Sequence, residues 1–63
     1  MEERDIIAER ILIALLQNPE RYKYISQLVD SGKISQEVAN QKNINKAFKI
    51  ADSFIKYRDN QRD

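Results

Sequence analysis

The run from Ile6 to Leu16 constrains the fold more than any other stretch: it is apolar except for Glu9 and Arg10, and Asn18-Pro19 cuts it off. Proline fixes its own φ and pushes the residue before it away from helical angles, so a helix carrying this run has to stop near Gln17. A bilayer span takes roughly 20 mostly apolar residues. A secretory leader takes an uncharged apolar segment behind a basic start. Here the run is shorter and interrupted by charge, and it follows Glu2-Glu3-Arg4-Asp5. The expectation is a soluble, cytoplasmic chain without a membrane partner.

The spacing predicts a first helix over residues 3–17, with Glu2, Glu3 and Asp5 at the end where the helix dipole favours carboxylates. At about 100° per residue, Ile7, Ala8, Ile11, Leu12, Ala14, Leu15 and Leu16 fill an arc of about 200°. Arg10 and Gln17 oppose that arc, and Ile6 and Ile13 fall on the same polar side, one heptad apart.

Asn18 is also suited to cap a second helix over 19–30, with Pro19 at its first position and Glu20 in its first turn. Tyr22, Ile25, Leu28 and Val29 form its apolar stripe, with Tyr24 to one side. Ser31-Gly32 ends it, because glycine accepts the left-handed conformation that follows a helix. So short a link makes the first two helices close neighbours at a sharp angle.

Two outcomes stay open between Lys33 and Asn43. Either Ser35 caps one long helix running to about Arg58, or a short helical turn precedes a break near Asn43. Asn40-Gln41-Lys42-Asn43 is poor in both propensity and pattern. A last helix over 44–58 is expected in either case, with the stripe Ile44, Ala47, Phe48, Ala51, Phe54 and Ile55. Ile50 and Tyr57, again one heptad apart, extend it to one side. Residues 59–63 hold no apolar anchor and are expected to fray.

A chain of 63 residues is one domain, 1–63, and at this size folding buries only about 60% of the unfolded surface. Disulfides, a metal or association usually compensate. With no Cys and no His, association is the device left. One Gly, one Pro and little strand-like alternation argue against a sheet. The expected fold is all-α: a two- or three-helix unit, a helical hairpin or bundle, completed by oligomerisation. Its core is expected at Ile7, Ile11, Leu15, Tyr22, Ile25, Leu28, Phe48, Ala51 and Ile55.

Catalysis needs a nucleophile, an acid or base with a tuned pKa, and an enclosing pocket. The chain has no Cys, no His and no Gly-rich phosphate loop, and Glu9, Glu20, Glu37 and Asp52 are dispersed over solvent faces. No enzymatic activity, cofactor, metal or small-molecule ligand is expected. Eleven basic and ten acidic residues leave a net charge of +1, short of the strongly basic balance that marks a nucleic-acid binder. Lys42, Lys46, Lys49 and Lys56 nevertheless share one face of the last helix and could track phosphates. An ordinary solvated helix face is the plainer account of them. Ile34 to Phe48 can be laid against a helix-turn-helix, but without its turn glycine. The pairs Ile6/Ile13 and Ile50/Tyr57 each add a second, heptad-spaced seam to a helix that already has a core stripe. Such seams join helices across chains, and these four residues are the expected interface.

Ile7-Ala8-Glu9-Arg10-Ile11-Leu12-Ile13-Ala14-Leu15-Leu16-Gln17-Asn18-Pro19-Glu20, with Ala47-x-x-x-Ala51-Asp52-x-x-Ile55 near the end, resembles a class of short, uncharacterised phage- and prophage-encoded helical accessory proteins. The resemblance implies a mobile-element protein that binds a host or phage protein in the host-cell cytoplasm; it implies no site residues. More locally, Glu9-Arg10-x-Leu12-x-x-Leu15-Leu16-Gln17-x-Pro19-Glu20 is similar to the opening of the helicase-binding region of bacterial primases, which implies a replisome partner. The function expected is a small non-catalytic protein–protein interaction module, binding itself, a host or phage protein, or both. The alternative is a small DNA-binding regulator that uses the lysine face of the last helix.

Overall fold

A computed structural model describes residues 2–61 as three α-helices, α1 (Glu3–Gln17), α2 (Pro19–Asp30) and α3 (Gln36–Gln61), with no strand among the described residues. The boundaries between the helices have local causes. Asn18 Oδ1 accepts hydrogen bonds from the backbone N–H groups of Glu20 and Arg21 at 3.0 and 3.2 Å. Those are two of the donors that a helix start leaves unpaired. α2 ends around Gly32, whose φ is 78°. There the Gly32 N–H donates to the Val29 carbonyl and the Lys33 N–H to the Leu28 carbonyl, both at 3.0 Å, a Schellman closure. Ser35 Oγ then accepts from the Val38 N–H at 3.1 Å and opens α3.

The region left open by the sequence is helical from Gln36, so the last helix is one continuous rod of 26 residues. Asn43, the residue at which a break was conceivable, is 7% exposed, and its Oδ1 accepts from Arg21 Nε at 2.9 Å. A weak helix former thus sits inside the helix and latches α2 to α3. The tail expected to fray from Asp59 is helical through Gln61, and Arg58 reaches both Asp59 and Glu3. Arg62 and Asp63 lie outside the described residues.

α1 runs antiparallel along α3. Glu3 meets Arg58 and Arg4 meets Asp52 at one end, while Leu16 shares a hollow with Asn40 and Ile44 at the other. α2 turns away after Pro19 and contacts the first half of α3 less extensively. The seam of the fold is small. Ala39, Asn43, Ala47 and Ala51 recur at every fourth residue of α3 and are all buried, and Ala8 of α1 packs against Ala47 and Ala51. Side chains this short let two helix backbones approach closely, and among the described residues no larger side chain is fully enclosed.

The expected core is corrected accordingly. Ile25 and Ala51 are buried, whereas Ile7, Ile11, Leu15, Leu28, Phe48 and Ile55 are only half-buried. Ile44 and Phe54, taken as stripe residues, are exposed. The contact line follows the alanines, so the large members of each stripe splay to its two edges. Tyr22 is 68% exposed. The latch with Asn43 turns Arg21 towards α3, and the next residue lies about 100° around the helix from it.

Two stability changes follow. Gly32→Ala meets no steric obstacle but forces a left-handed conformation on an L-residue, and urea unfolding should report a loss of about 1–2 kcal/mol. Asn43→Ala raises helix propensity by about 0.5 kcal/mol while removing a hydrogen bond to a charged donor worth about 1.5–3 kcal/mol. The protein should lose about 1 kcal/mol or more, and amide exchange should quicken in α2 ahead of α1; equal quickening in both helices would contradict the latch.

Candidate functional site

The splayed residues leave hollows along both edges of the α1–α3 pair. On one edge Ile7, Arg10 and Ile11 of α1 face Ile50 and Phe54 of α3 across an open groove of about 410 Å³. Four of these five side chains are wholly apolar. On the other edge Leu12, Ile44 and Phe48 line a smaller hollow of about 240 Å³, rimmed by Asp5 and Glu9. Arg4 lies over the Phe48 ring with its guanidinium 4.4 Å from the ring centre, so that second edge is partly lidded by a cation–π contact.

The four residues expected to form an interface are all exposed: Ile6, Ile13, Ile50 and Tyr57. The fold divides them. Ile50 lines the apolar groove, and Tyr57 lies two turns further along the same side of α3. Ile6 and Ile13 sit about 140–160° around α1 from buried Ala8, on its outer face, and Glu3, Arg10 and Gln17 form a polar line between them and the groove. The groove therefore joins Ile50 to Ile7, Ile11 and Phe54 rather than to Ile6 and Ile13.

The lysine face is divided too. Lys42, Lys46 and Lys49 line a second groove of about 410 Å³ whose opposite wall is Arg21 and Tyr24 of α2. Lys56 lies beyond it, about 10 Å further along α3. Neither wall residue belonged to the lysine pattern, because only the position of α2 brings them there.

The described end of the α1–α3 pair is held by reciprocal ion pairs. Arg4 of α1 forks onto Asp52 of α3, its Nη2 donating to Oδ2 at 3.2 Å and its Nε to Oδ1. Arg58 of α3 returns the arrangement, donating to Glu3 Oε1 at 2.7 Å and lying 5.9 Å from the centre of the Phe54 ring. The hydrogen bond from Arg4 lowers the Asp52 pKa below its usual value, partly opposed by desolvation. The hydrogen bonds to Asp52 and to Glu3 raise Arg4 and Arg58 respectively. Arg4, Asp52 and Glu3 stand about half or more in water and only Arg58 is more enclosed, so the pairs set register more than they add stability. Sequence spacing did not single them out; the four-residue repeat of small residues in α3 was the available signal, since it fixes the line on which α1 lies.

Among the described residues no acidic cluster is arranged to hold a metal ion, and no helix is long and apolar enough to cross a membrane. Comparison with protein families, with curated proteins and with solved structures found no match to this chain. The functional reading therefore rests on these surfaces.

The Asp52 pair carries a pH signature. Its folded pKa is depressed, so its contribution is present above the unfolded value, near pH 4, and is lost as pH falls through the folded value. Asp52→Asn should melt below the wild type at neutral pH, and the gap should close below about pH 4. A gap of constant size down to the acid limit would exclude this linkage.

Proposed function

We propose that this chain is a small, non-catalytic protein–protein interaction module whose first partner is a second copy of itself, docked on the apolar groove between α1 and the C-terminal half of α3. One observation carries the reading: the single chain leaves too much surface in water. Its accessible surface is 5143 Å², whereas a compact protein of 7.4 kDa would expose about 4,200 Å². The excess, roughly 900 Å², matches the roughly 800 Å² that each partner gives to a standard interface. The shape agrees, since the chain measures 48 × 22 × 16 Å, a slab about two helices wide.

A two-fold axis across the groove brings the same patch to the interface from both sides, the arrangement favoured by small homodimers. Ile50 and Phe54 of each protomer then cover Ile7 and Ile11 of the other, and Tyr57, at 68% exposure, lies at the rim. Aromatic residues with one polar end suit such a rim. Arg10 can stay at the edge with its stem packed and its charge in water. Ile6 and Ile13 lie off this groove and remain for a host or phage protein. The phage and prophage setting is proposed on the resemblance of residues 7–20 and 47–55 alone.

Light scattering after size exclusion, at micromolar concentration, tests the reading. The wild type should run at twice the 7.4 kDa monomer mass. Ile50→Glu should run as a helical monomer, and Ile13→Lys should remain dimeric. A wild type that is folded and monomeric throughout the micromolar range would overturn self-association.

A further inference from the structure

The groove between α2 and the first half of α3 differs in kind from the apolar one and shares no lining residue with it. Arg21, Lys42, Lys46 and Lys49 line it together, with Tyr24 beside them and no acidic residue among its walls. Among the described residues none of these four cations forms an ion pair, whereas Arg4 and Arg58 are both paired. In a chain of net charge +1 this is a local concentration of positive charge. A solvated lysine face does not explain it, because half of the recognition surface comes from another helix. Arg21 is fixed there through Nε by buried Asn43, which leaves the terminal nitrogens of a planar guanidinium as donors. Tyr24 is exposed and offers a flat aromatic surface at the same groove.

We propose that this groove binds single-stranded nucleic acid, with Arg21, Lys42, Lys46 and Lys49 on successive phosphates and Tyr24 stacked on an unpaired base. A recessed cationic track with an aromatic platform is the combination that holds a single strand without reading its sequence. A duplex stacks its bases on one another and has no free face for Tyr24. Duplex readers instead project a helix into the major groove, whereas here the lysine side of α3 forms one wall of an open groove with α2. The lysines recur at about one turn, roughly 5 Å of rise, and Lys56 continues the path beyond the groove. An acidic peptide would satisfy the cations but would leave Tyr24 without a role.

Fluorescence anisotropy with a labelled mixed-sequence oligodeoxynucleotide of about 12 nucleotides tests the proposal on the full chain. Binding should weaken with salt along a log–log slope of about −2 to −3, the value for three or four neutralised phosphates on a single strand. Replacing Lys46 and Lys49 together by Gln should make that slope shallower by about 1.4. Tyr24→Ala should lose about tenfold in affinity, and Tyr24→Phe should keep it, since both lysines and Tyr24 are exposed and their replacement leaves the fold intact. Ile50→Gln, which makes the apolar groove polar without setting a negative charge beside Lys46 and Lys49, should bind the single strand as the wild type does, so failure of dimerisation and failure of this proposal are separately visible. Any of three results overturns it: no binding at low salt, binding of the matching duplex as tight as of the single strand, or competition by poly-glutamate equal to that by unlabelled oligonucleotide.

Discussion

The close approach of α1 to α3 over alanine is the constraint from which the rest of the structure follows. Ala8 lies on Ala47 and Ala51, and Ala39 and Asn43 continue the same line towards the start of α3. A contact built from such short side chains brings backbones together but encloses little apolar area, at about 25 cal/mol for each Å² removed from water. The bulky residues that would normally interdigitate across a helix pair are pushed to its edges. Hence the fold has a narrow seam, two apolar flanks and an elongated outline. Each of these traces to residue size at one repeat.

Register along that seam needs a further device, because an alanine contact is smooth and tolerates sliding. The reciprocal pairs Arg4–Asp52 and Arg58–Glu3 supply it at the end of the hairpin remote from the Asn18-Pro19 turn. Exposed pairs of this sort are screened by salt and weak in net stabilisation, but each is directional. One donor on each helix and one acceptor on each helix make a one-turn slip costly at two places at once. The turn and α2 fix the other end. The rod is therefore pinned at both ends and packed in the middle.

Much of the architecture was legible in the sequence, for reasons that differ by element. Asn18-Pro19, Ser31-Gly32 and Ser35 act through local backbone chemistry, which depends only on near neighbours, and they punctuate the helices where capping rules put them. The core was less legible. A periodic stripe shows which side of a helix faces its neighbour, but not how close the neighbour comes, and so Phe54 and Ile44 counted equally with Ala47 and Ala51. Asn43 misled for a related reason: its propensity argues for a break, and only the approach of Arg21 from another helix gives it a partner. The same limit applies to the surfaces. Lys42, Lys46 and Lys49 are visible as a face of one helix, while Arg21 and Tyr24 join them through tertiary placement alone. Ile6 and Ile50 looked equivalent as heptad extras, yet only Ile50 borders the groove.

The latch between Arg21 and Asn43 also gives α2 a thermodynamic role. α2 is held by one polar contact, the side of Ile25 and modest packing on its two neighbours, so it is the helix with the least to lose by detaching. Detachment would dismantle one groove wall in a single step, taking Arg21 and Tyr24 away from the lysines of α3. An occupant that touches both walls consequently binds the docked arrangement more tightly and shifts the population towards it. Occupancy and the order of α2 are two readings of one equilibrium, and the side-chain amide of Asn43 lies at its hinge.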